Sequence, residues 1–368
     1  MSADVTSRTE PQPAIKGLPL GPVLIIGTGL VGASVGCALT AIGEEVHLRD
    51  WVPSHARVAA SRGAGQVENI EPESVALVVV AVPPRALPGV LATALDEFPR
   101  AFVTDVGSVK QGVLTALEAN TEDLGRYVGS HPMAGSHLAG PITATADLFQ
   151  DRTWVVTPHA VARKDAVEAV IALAEACGAR TVVMDSAEHD LAVAAVSHLP
   201  HAVSAMVAAG LEDRPADHLV LAGQGVRDVT RIAAGDPDLW EQILTVNARA
   251  VGRELTALGQ RLSELGQRLA DQGDIRELLE AGRRGTRVIQ GKHGTAPVDY
   301  AAVQIEIPDA PGSLARLFAH ADELDINVED ISIEHDPVRQ VGWLKIHVLP
   351  HRAEGFAEAM RQRGWLVV

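Results

Sequence analysis

The sequence is poor in cysteine, in aromatic side chains and in positive charge. Among 368 residues there are only two cysteines, Cys37 and Cys177, and aromatic residues make up 3%. Cysteines in apolar, helix-like surroundings predict two buried thiols rather than a disulfide. The low aromatic content predicts cores of Ala, Val, Leu and Ile. With 31 Lys and Arg against 47 Asp and Glu, the formal net charge is −16, which argues against nucleic acid as a partner.

The N-terminus lacks the apolar core of a signal peptide, and we interpret residues 1–20 as a flexible tail. Residues 191–211 are mostly apolar and long enough to resemble a membrane span. Polar residues and a proline interrupt them: Ser197, His198, Pro200, His201 and Ser204. Because polar side chains are costly to bury in lipid, this stretch predicts a buried helix with a polar stripe. We therefore expect a cytoplasmic protein without a membrane partner.

The strongest signal is a glycine-rich turn near the N-terminus. Residues 23–26 form a short apolar run, typical of a strand that is buried on both faces. The run leads into the pattern G-x-G-x-x-G and then into small and apolar residues of helical length. The turn consists of Gly27, Thr28, Gly29, Leu30, Val31 and Gly32. A second predicted strand, residues 45–49, ends on Asp50.

Each glycine of this turn has a mechanical role in binding a dinucleotide. Gly27 permits the tight turn, Gly29 lets the backbone approach a pyrophosphate, and Gly32 lets the helix pack closely on the strand. The start of the helix offers free N–H groups to the phosphates. Asp50 lies where a carboxylate accepts hydrogen bonds from a ribose 2′-hydroxyl and repels a 2′-phosphate. The sequence predicts NAD as the cofactor and no metal ion. NADP is the alternative, because Arg49 beside this acid is able to bind a 2′-phosphate.

The distribution of strand and helix signals predicts an α/β chain of three domains. In residues 21–185, short apolar strands alternate with helices, which indicates a Rossmann-like parallel sheet that binds a dinucleotide. Residues 186–281 have helical periodicity and Ala-rich apolar surfaces, which predict an all-helical domain for substrate binding and dimerisation. Residues 282–297, rich in Gly and basic residues, predict a linker. Residues 298–368 follow the order β-α-β-β-α-β of a small ferredoxin-like α+β domain.

Candidate catalytic residues follow the predicted strands, because open α/β sheets bind ligands at the carboxyl ends of their strands. Val82 and Pro83 follow one strand and are expected to line the nicotinamide half of the cofactor. Ser108 follows the next strand, in T-D-V-G-S-V-K. His131 lies in S-H-P-M-A-G after a short strand at residues 126–129. Histidine suits the removal of a hydroxyl proton because its pKa lies near working pH.

The helical region contributes a second set of polar residues. Ser197 and His201 are four apart in S-H-L-P-H, on one face of a helix. His189 lies in E-H-D, near the start of the same helix. Arg227 and Arg231 occur in a region whose pattern otherwise predicts burial. A partly buried Arg needs a carboxylate, supplied either by the protein itself or by a substrate.

Together these motifs resemble the prephenate/arogenate dehydrogenase family. Across residues 22–290 the order and spacing are similar to that family's: the glycine turn, T-D-V-G-S-V-K, S-H-P-M-A-G, E-H-D, S-H-L-P-H, R-D-V-T-R-I and D-P-D-L-W. The resemblance implies an NAD(P)-dependent oxidoreductase of tyrosine biosynthesis that acts on CH–CH donors with decarboxylation. Its substrate would be prephenate, giving 4-hydroxyphenylpyruvate, or arogenate, giving tyrosine. Prephenate carries a keto group where arogenate carries an ammonium group, and the sequence does not decide between these two substrates.

The resemblance also implies a role for each matching residue. His131 would take the proton of the ring 4-hydroxyl, and Ser108 would orient His131 and lie near the nicotinamide. Arg231 would bind the ring carboxylate. Further substrate-pocket positions are His201, Ser197, His189, Ser136 and, packing close by, Trp240. The family often has an acid after the Gly-Ser that ends this loop motif; here the residue is His137.

Residues 298–368 resemble an ACT domain. The turn after their first strand matches that family's turn and consists of Asp309, Ala310, Pro311, Gly312, Ser313 and Leu314. The resemblance implies regulation by an aromatic amino acid that binds at this turn. An assembly module without a ligand is the alternative.

Two other functions fit parts of the pattern. A β-hydroxyacid dehydrogenase also joins a glycine-turn domain to a helical one. Such enzymes usually rely on a Lys in the helical domain, whereas residues 186–281 contain no Lys. A non-catalytic amino-acid sensor would keep the dinucleotide fold as a scaffold. It would have no use for the combination of Ser108, His131 and Arg231.

Overall fold

Two β-sheets, one of seven strands and one of four, organise the chain. The computed structural model describes residues 20–121, 123–135, 140–286, 288, 300–308, 310–336 and 341–368. The chain divides into two units, Met1–Gly266 and Gln267–Val368. The seven-stranded sheet belongs to the first unit and the four-stranded sheet to the second. The domain limits expected from the sequence stay a prediction.

The seven-stranded sheet has the order β2-β1-β3-β4-β5-β6-β7. Its strands are β1 (Val23–Ile26), β2 (Val46–Arg49), β3 (Leu77–Val80), β4 (Phe102–Asp105), β5 (Tyr127–Pro132), β6 (Thr153–Thr157) and β7 (Arg180–Val183). Strands β1 to β5 pair in parallel, as the Rossmann-like prediction requires. Strand β6 runs antiparallel to β5 and parallel to β7. The predicted Rossmann-like fold is confirmed, with an antiparallel pairing at its far end.

Helices cover this sheet because its strands are apolar on both faces. The connecting helices are α1 (Leu30–Ala41), α2 (Pro53–Ser61), α3 (Leu87–Glu97), α4 (Gln111–Glu118) and α5 (Lys164–Ala176). Successive residues of β1 point to opposite faces, as the strand period of two demands. Val23 and Ile25 therefore belong to one hydrophobic cluster, and Leu24 belongs to the other. The glycine turn directly follows β1, and the segment that contains Ser108 follows β4.

After β7 the described chain is helical as far as residue 286. The helices are α6 (Ser186–Val193), α7 (Leu199–Glu212), α8 (Ala216–Leu219), α9 (Gln224–Thr230), α10 (Pro237–Val246), α11 (Ala248–Ala270) and α12 (Arg276–Thr286). A π-helical turn, Ala194–His198, joins α6 to α7. Asp185 begins α6 by accepting hydrogen bonds from the N–H groups of Ala187 and Glu188. Such caps satisfy backbone donors that have no partner within the helix.

The continuous stretch Ser186–Glu212 is long and apolar enough to cross a membrane, by length and composition alone. Its polar stripe is present and faces the protein interior: Ser186, His189, Asp190, His198, His201 and Ser204 are all buried. Helices packed inside proteins pass the same composition test, and polar side chains of this kind are costly in lipid. Several apolar residues of the stretch are exposed instead, including Val196 at 69% and Met206 at 73%. The predicted polar stripe is confirmed, but the stretch as a whole is not buried.

The second unit contains a ferredoxin-like arrangement. Its elements are β8 (Ala301–Pro308), α13 (Ser313–Glu323), β9 (Asp330–Asp336), β10 (Val341–Val348), α14 (Pro350–Gln362) and β11 (Leu366–Val367). The sheet order is β11-β8-β10-β9, and each neighbouring pair is antiparallel. The core side chains include Ile305, Leu317, Leu344, Ile346, Phe356 and Met360. The predicted order β-α-β-β-α-β is confirmed.

Both cysteines are buried and free, which confirms the predicted pair of thiols. Burial raises the pKa of Cys177 to about 12. A thiol with so high a pKa has almost no thiolate at neutral pH, so Cys177 is a packing residue and not a nucleophile.

Candidate active site

The glycine turn has the shape that a bound pyrophosphate needs. Gly27 has φ +96°, and a Cβ atom there would lie 2.4 Å from the carbonyl oxygen of Ala81. A Cβ on Gly32 would lie 2.0 Å from the carbonyl oxygen of Gly27, so both positions require glycine. A Cβ on Gly29 would meet nothing within 4 Å, and no side chain caps the helix that starts after it. The helix start is therefore open to phosphate oxygens.

Asp50 is held against this turn at the end of β2. Its Oδ2 accepts hydrogen bonds from the backbone N–H of Thr28 at 2.7 Å and from the Thr28 hydroxyl at 2.8 Å. Its Oδ1 accepts from the N–H of Val52 at 2.8 Å. These bonds fix the carboxylate where a ribose diol binds in this type of fold. Arg49 is committed elsewhere, since its Nη1 lies 2.8 Å from Oε2 of Glu97, which favours NAD over NADP.

Val82 is a predicted cofactor residue outside the turn that packs against it. A Cβ on Gly27 would be 3.0 Å from Cγ1 of Val82, so this side chain packs beside the turn. Pro83 follows it and is exposed. Leu30 and Val31 form the first residues of α1 and are half-buried.

His131 lies inside strand β5 and not in a loop after it. The strand was expected to end at residue 129, but it continues to Pro132 because antiparallel pairing with β6 places His131 opposite Val155. The ring is half-buried, and its Nδ1 lies 2.9 Å from Nε2 of His189. The two rings meet edge to face, with centroids 5.1 Å apart at 75°. Backbone pairing and this ring contact together fix the direction of the imidazole.

The surroundings of His131 keep its ring neutral. Burial lowers the pKa of His131 well below its usual 6.5, and the neighbouring His189, Lys110 and His198 lower it further. A neutral imidazole retains a lone pair on one nitrogen at neutral pH. His131 is therefore competent to act as a general base.

Behind His131, His189 is joined to a buried carboxylate. Nδ1 of His189 lies 2.8 Å from Oδ1 of Asp190. The same carboxylate accepts hydrogen bonds from the backbone N–H groups of Lys110 at 2.8 Å and Gln111 at 2.9 Å, at the start of α4. Sequence reasoning missed Asp190. The available signal was an acid directly after a histidine in an otherwise apolar helix.

A buried ion pair brackets Ser108 in the sequence. Nζ of Lys110 forms an ion pair with Oδ1 of Asp105 and donates to the carbonyl oxygen of Ser130 at 2.7 Å. The hydroxyl of Tyr127 donates to Oδ2 of Asp105 at 2.8 Å. Burial lowers the pKa of Lys110, and Asp105 opposes that effect. The Asp and Lys of T-D-V-G-S-V-K thus hold the loop in place, and Lys110 has a pairing role.

Ser108 itself is half-buried. Among the described residues, the Nδ1 of His131 is bonded to His189, and no hydrogen bond joins the Ser108 hydroxyl to His131. The orienting role of Ser108 stays a prediction. Ser136 and His137, like Asp309 of the C-terminal turn, lie outside the described residues.

His201 and Trp240 form a stacked pair with ring centroids 3.5 Å apart and planes at 10°. His201 is buried, and burial lowers its pKa. A Cβ on Gly235 would lie 2.6 Å from Nε1 of Trp240, so the turn that contains Gly235 packs directly against the stack. That turn is the short 3₁₀ helix Arg231–Ala234 with its C-cap. The structure therefore brings Arg231 and His201 into neighbouring elements.

His198 has a different environment from His201. It is buried, its Nδ1 lies 3.1 Å from Nδ2 of Asn247, and burial lowers its pKa to about 4. Asn247 also donates to the carbonyl oxygen of Asp190 at 2.8 Å. His198 is a hydrogen-bonded core residue. Ser197, beside it, is half-buried within the π-helical turn, a feature that often occurs at functional sites.

Arg231 is exposed, and so is Arg227, which differs from the burial expected from the sequence. Their segment lies at the surface of the described chain. The acids nearest to Arg231 in the sequence have other partners: Asp228 accepts from Nε2 of Gln224 at 2.8 Å, and Asp236 caps α10. In the part of the chain that the structure describes, Arg231 forms no ion pair. Its guanidinium is therefore available to an anionic ligand.

Comparison with known proteins identifies the family. The family described as prephenate dehydrogenase, nucleotide-binding domain, matches residues 35–183, and that described as prephenate dehydrogenase, dimerization domain, matches residues 185–281. A probable prephenate dehydrogenase of Streptomyces niveus, NovF, is 32% identical over 355 residues, 93% of this chain and 98% of that protein. A cyclohexadienyl dehydrogenase of Zymomonas mobilis is 32% identical over 242 residues, 62% of this chain and 82% of that protein.

Solved structures give the same result. The prephenate dehydrogenase of A. aeolicus in complex with hydroxyphenyl propionate and NAD⁺ matches with a TM-score of 0.64 at 27% identity, over 72% of this chain and 95% of that one. The arogenate dehydrogenase of Synechocystis matches with a TM-score of 0.62 at 27% identity, over 72% of this chain and 99% of that one. With a 32% identical relative matched along almost its whole length and both domain families in sequence order, this chain belongs to the prephenate dehydrogenase family.

Proposed function

We propose that this chain is a cytoplasmic enzyme that catalyses the NAD-dependent oxidative decarboxylation of prephenate or arogenate in tyrosine biosynthesis. One observation supports it above the others. A half-buried imidazole, His131, is kept neutral by its surroundings and is oriented by hydrogen bonding to His189. The same unit carries an open glycine turn with a fixed Asp50. A general base and a dinucleotide site are the two requirements of an NAD-dependent oxidation of an alcohol.

In this reaction His131 accepts the proton of the ring hydroxyl. A dinucleotide whose pyrophosphate binds at the glycine turn would supply its nicotinamide as the acceptor of the hydride from the carbon that carries the hydroxyl. The ring carboxylate leaves as CO₂, its bonding electrons restore the aromatic ring, and the resulting phenolate oxygen recovers the proton from His131. Because aromatisation drives the step, the protein mainly has to position the ring and the base. A positioned general base contributes roughly 10²–10⁴-fold to the rate.

Residues of the helical region bind the substrate. Arg231 binds the ring carboxylate, since its guanidinium is exposed and has no ion pair among the described residues. His201 and Ser197 contact the side chain of the substrate, His201 from its stack on Trp240. Ser108 and Ser136 complete the proposed pocket, Ser108 next to the nicotinamide.

We infer that the enzyme is a homodimer. The matched C-terminal family is described as a dimerization domain, and several large apolar side chains in the matched residues 185–281 are exposed. The exposed residues include Leu191, Val196, Met206, Leu219, Val220, Leu221, Leu262 and Leu269. Apolar patches of this kind on a soluble chain mark interaction surfaces, and a second copy supplies a matching patch by symmetry.

We further propose that the C-terminal unit binds an aromatic amino acid as an effector. Gly312, at φ +83°, turns the chain into α13, and Ser313 behind it is buried. Ala310 and Pro311 lead into this turn, and Leu314 is partly exposed on the helix. To test the proposal, the initial rate of the full chain is measured against L-tyrosine, with Gly312→Val as the variant. Val is strained at positive φ, so we expect weaker inhibition in the variant. Equal inhibition of both proteins contradicts an effector site at this turn.

The decisive test of the activity is a direct assay. Purified full-length protein is given prephenate and arogenate in turn, each with NAD and with NADP, and reduced cofactor is followed by absorbance. We expect turnover with NAD and at least one of the two substrates. His131→Asn should lower kcat by ~10²-fold or more with little change in NAD affinity. The absence of turnover with either substrate, or near-normal turnover of the variant, contradicts the proposal.

A further inference from the structure

A chain of hydrogen bonds leads from His131 away from the proposed substrate side. Nδ1 of His131 lies 2.9 Å from Nε2 of His189, and Nδ1 of His189 lies 2.8 Å from Oδ1 of Asp190. His189 is 1% exposed and Asp190 is 6% exposed, so water does not compete for these contacts. We propose that Asp190, acting through His189, selects the tautomer of His131 that leaves Nε2 free to accept the substrate proton. The inference rests on the proposed function and concerns two positioning residues.

The direction of each hydrogen bond follows from the chemistry of the groups. An ionised carboxylate only accepts, so the hydrogen of His189 is on Nδ1. In a neutral ring the other nitrogen, Nε2, then carries a lone pair and no hydrogen. Nδ1 of His131 faces that lone pair and must be the donor. The hydrogen of His131 is therefore on Nδ1, and its Nε2 is the unprotonated atom.

The carboxylate of Asp190, where this chain of hydrogen bonds begins, is held in place by two backbone N–H groups. Oδ1 accepts from the N–H of Lys110 at 2.8 Å, and Oδ2 accepts from the N–H of Gln111 at 2.9 Å. These groups lie at the N-terminus of α4, which favours a negative charge. Asp190 thus remains an acceptor with a fixed orientation. This explains how a residue of α6 can impose a proton arrangement on a ring in β5.

The same geometry supports the charged state during catalysis. When His131 takes up the substrate proton, the two rings together carry one positive charge. Lys110 and His198 disfavour a cation at His131, whereas Asp190 is an anion in contact with the second ring. A carboxylate behind an imidazole both orients it and stabilises the imidazolium that forms, as in other carboxylate–histidine pairs. A proton placed on His189 instead turns its Nε2 into a donor and leaves His131 without a partner that accepts from its Nδ1.

The test compares two carboxylates of the same helix in the full-length enzyme. Asp190→Asn keeps the size of the side chain but removes the anion, so the hydrogen on Nδ1 of His189 loses the charged acceptor that fixes it there. We expect kcat to fall by about 10²–10⁴-fold, with the KM of the substrate and the Kd of NAD changed by less than about threefold. Asp185→Asn is the matched control. Asp185 is exposed, caps α6 and is equally well replaced by Asn, so we expect unchanged kinetics.

Two further readouts separate tautomer selection from a merely structural role. Removal of the anion should move the acidic limb of the kcat/KM profile to lower pH, because the protonated rings lose a stabilising partner. Nitrogen-15 shifts of the histidine rings should place the hydrogen of His131 on Nδ1 in the wild type and show it divided between Nδ1 and Nε2 in Asp190→Asn. The inference is overturned if the acidic limb of the kcat/KM profile is unchanged, or if His131 has the same tautomer in the wild type and in Asp190→Asn.

His189→Asn covers the case in which Asp190→Asn does not fold, because it leaves the contacts of Asp190 with α4 in place. It should lose kcat to a similar extent, and the double variant should be no worse than either single variant. Losses that multiply in the double variant contradict a shared pathway. If the proposed function fails, wild type and Asp185→Asn are also inactive, while the ring nitrogen shifts still report on the tautomer.

Discussion

The buried histidine His198 makes the stability of the fold depend on pH, with a sign that can be derived. Its folded pKa is about 4, below the usual 6.5, mainly because of burial. Between these two values the unfolded chain binds a proton that the folded chain does not bind. The stabilisation is therefore fully present above pH 6.5 and is lost as the pH falls towards 4.

The magnitude follows from the two pKa values. At pH 4.5 an unfolded histidine with a pKa of 6.5 is almost fully protonated, while one at about 4 is mostly neutral. The difference in proton binding corresponds to roughly 2–3 kcal/mol of lost stability from this one residue. At pH 7.5 the same difference is close to zero. His198 is 1% exposed, so solvent screening does not reduce the effect much.

The perturbation that isolates this effect is His198→Asn, which removes the titrating ring and keeps an oxygen that can accept from Asn247. Urea unfolding followed by circular dichroism is measured at pH 7.5 and 4.5, for both proteins at one concentration. We expect the wild type to lose roughly 2–3 kcal/mol more than the variant between the two pH values. Contributions of groups that do not neighbour His198 are common to both proteins and cancel, whereas the variant also relieves His131 of one neighbour that lowers its pKa. Parallel losses in the two proteins would refute the assignment of a buried neutral ring at this position.

Three further predictions concern the glycine turn, the proposed substrate-binding Arg231 and the exposed face of α7. Gly29→Ala should weaken NAD binding by about tenfold or more, ~1.4 kcal/mol, with unfolding changed by about 1 kcal/mol or less; calorimetric titration with NAD showing wild-type affinity contradicts a pyrophosphate at this turn. Arg231→Gln should raise the substrate KM by about tenfold to a hundredfold, the value of a charge-assisted hydrogen bond, with thermal stability unchanged. A destabilised variant instead indicates an internal partner. Met206→Asp should shift the protein towards monomer in sedimentation velocity. Val161→Asp is the control and should not, because Val161 lies outside the helical region and is similarly exposed, at 66% against 73% for Met206. Identical oligomeric states of the two variants contradict dimerisation through α7.

Local patterns in the sequence were sufficient to predict the elements of both sheets. Buried parallel strands are short apolar runs, and the glycine turn has steric demands that only its own residues satisfy. For the same reason the order of the C-terminal elements was predictable from strand alternation and turn residues. His131 was identifiable as a candidate base from its motif, although the sequence placed it after a strand and the structure places it within one.

Contacts between distant segments were decided by the tertiary structure alone. His131 and His189 are 58 positions apart, and Lys110 and Asp190 are 80 apart, so no local period reports their meeting. The extension of β5 through His131 likewise depends on its antiparallel partner β6. The exposure of Arg231 depends on where its helix packs, not on its neighbours in sequence. A sequence records which residues can donate, accept or carry charge, whereas the proton positions that make His131 a base follow from which of those groups the fold brings within 3 Å of one another.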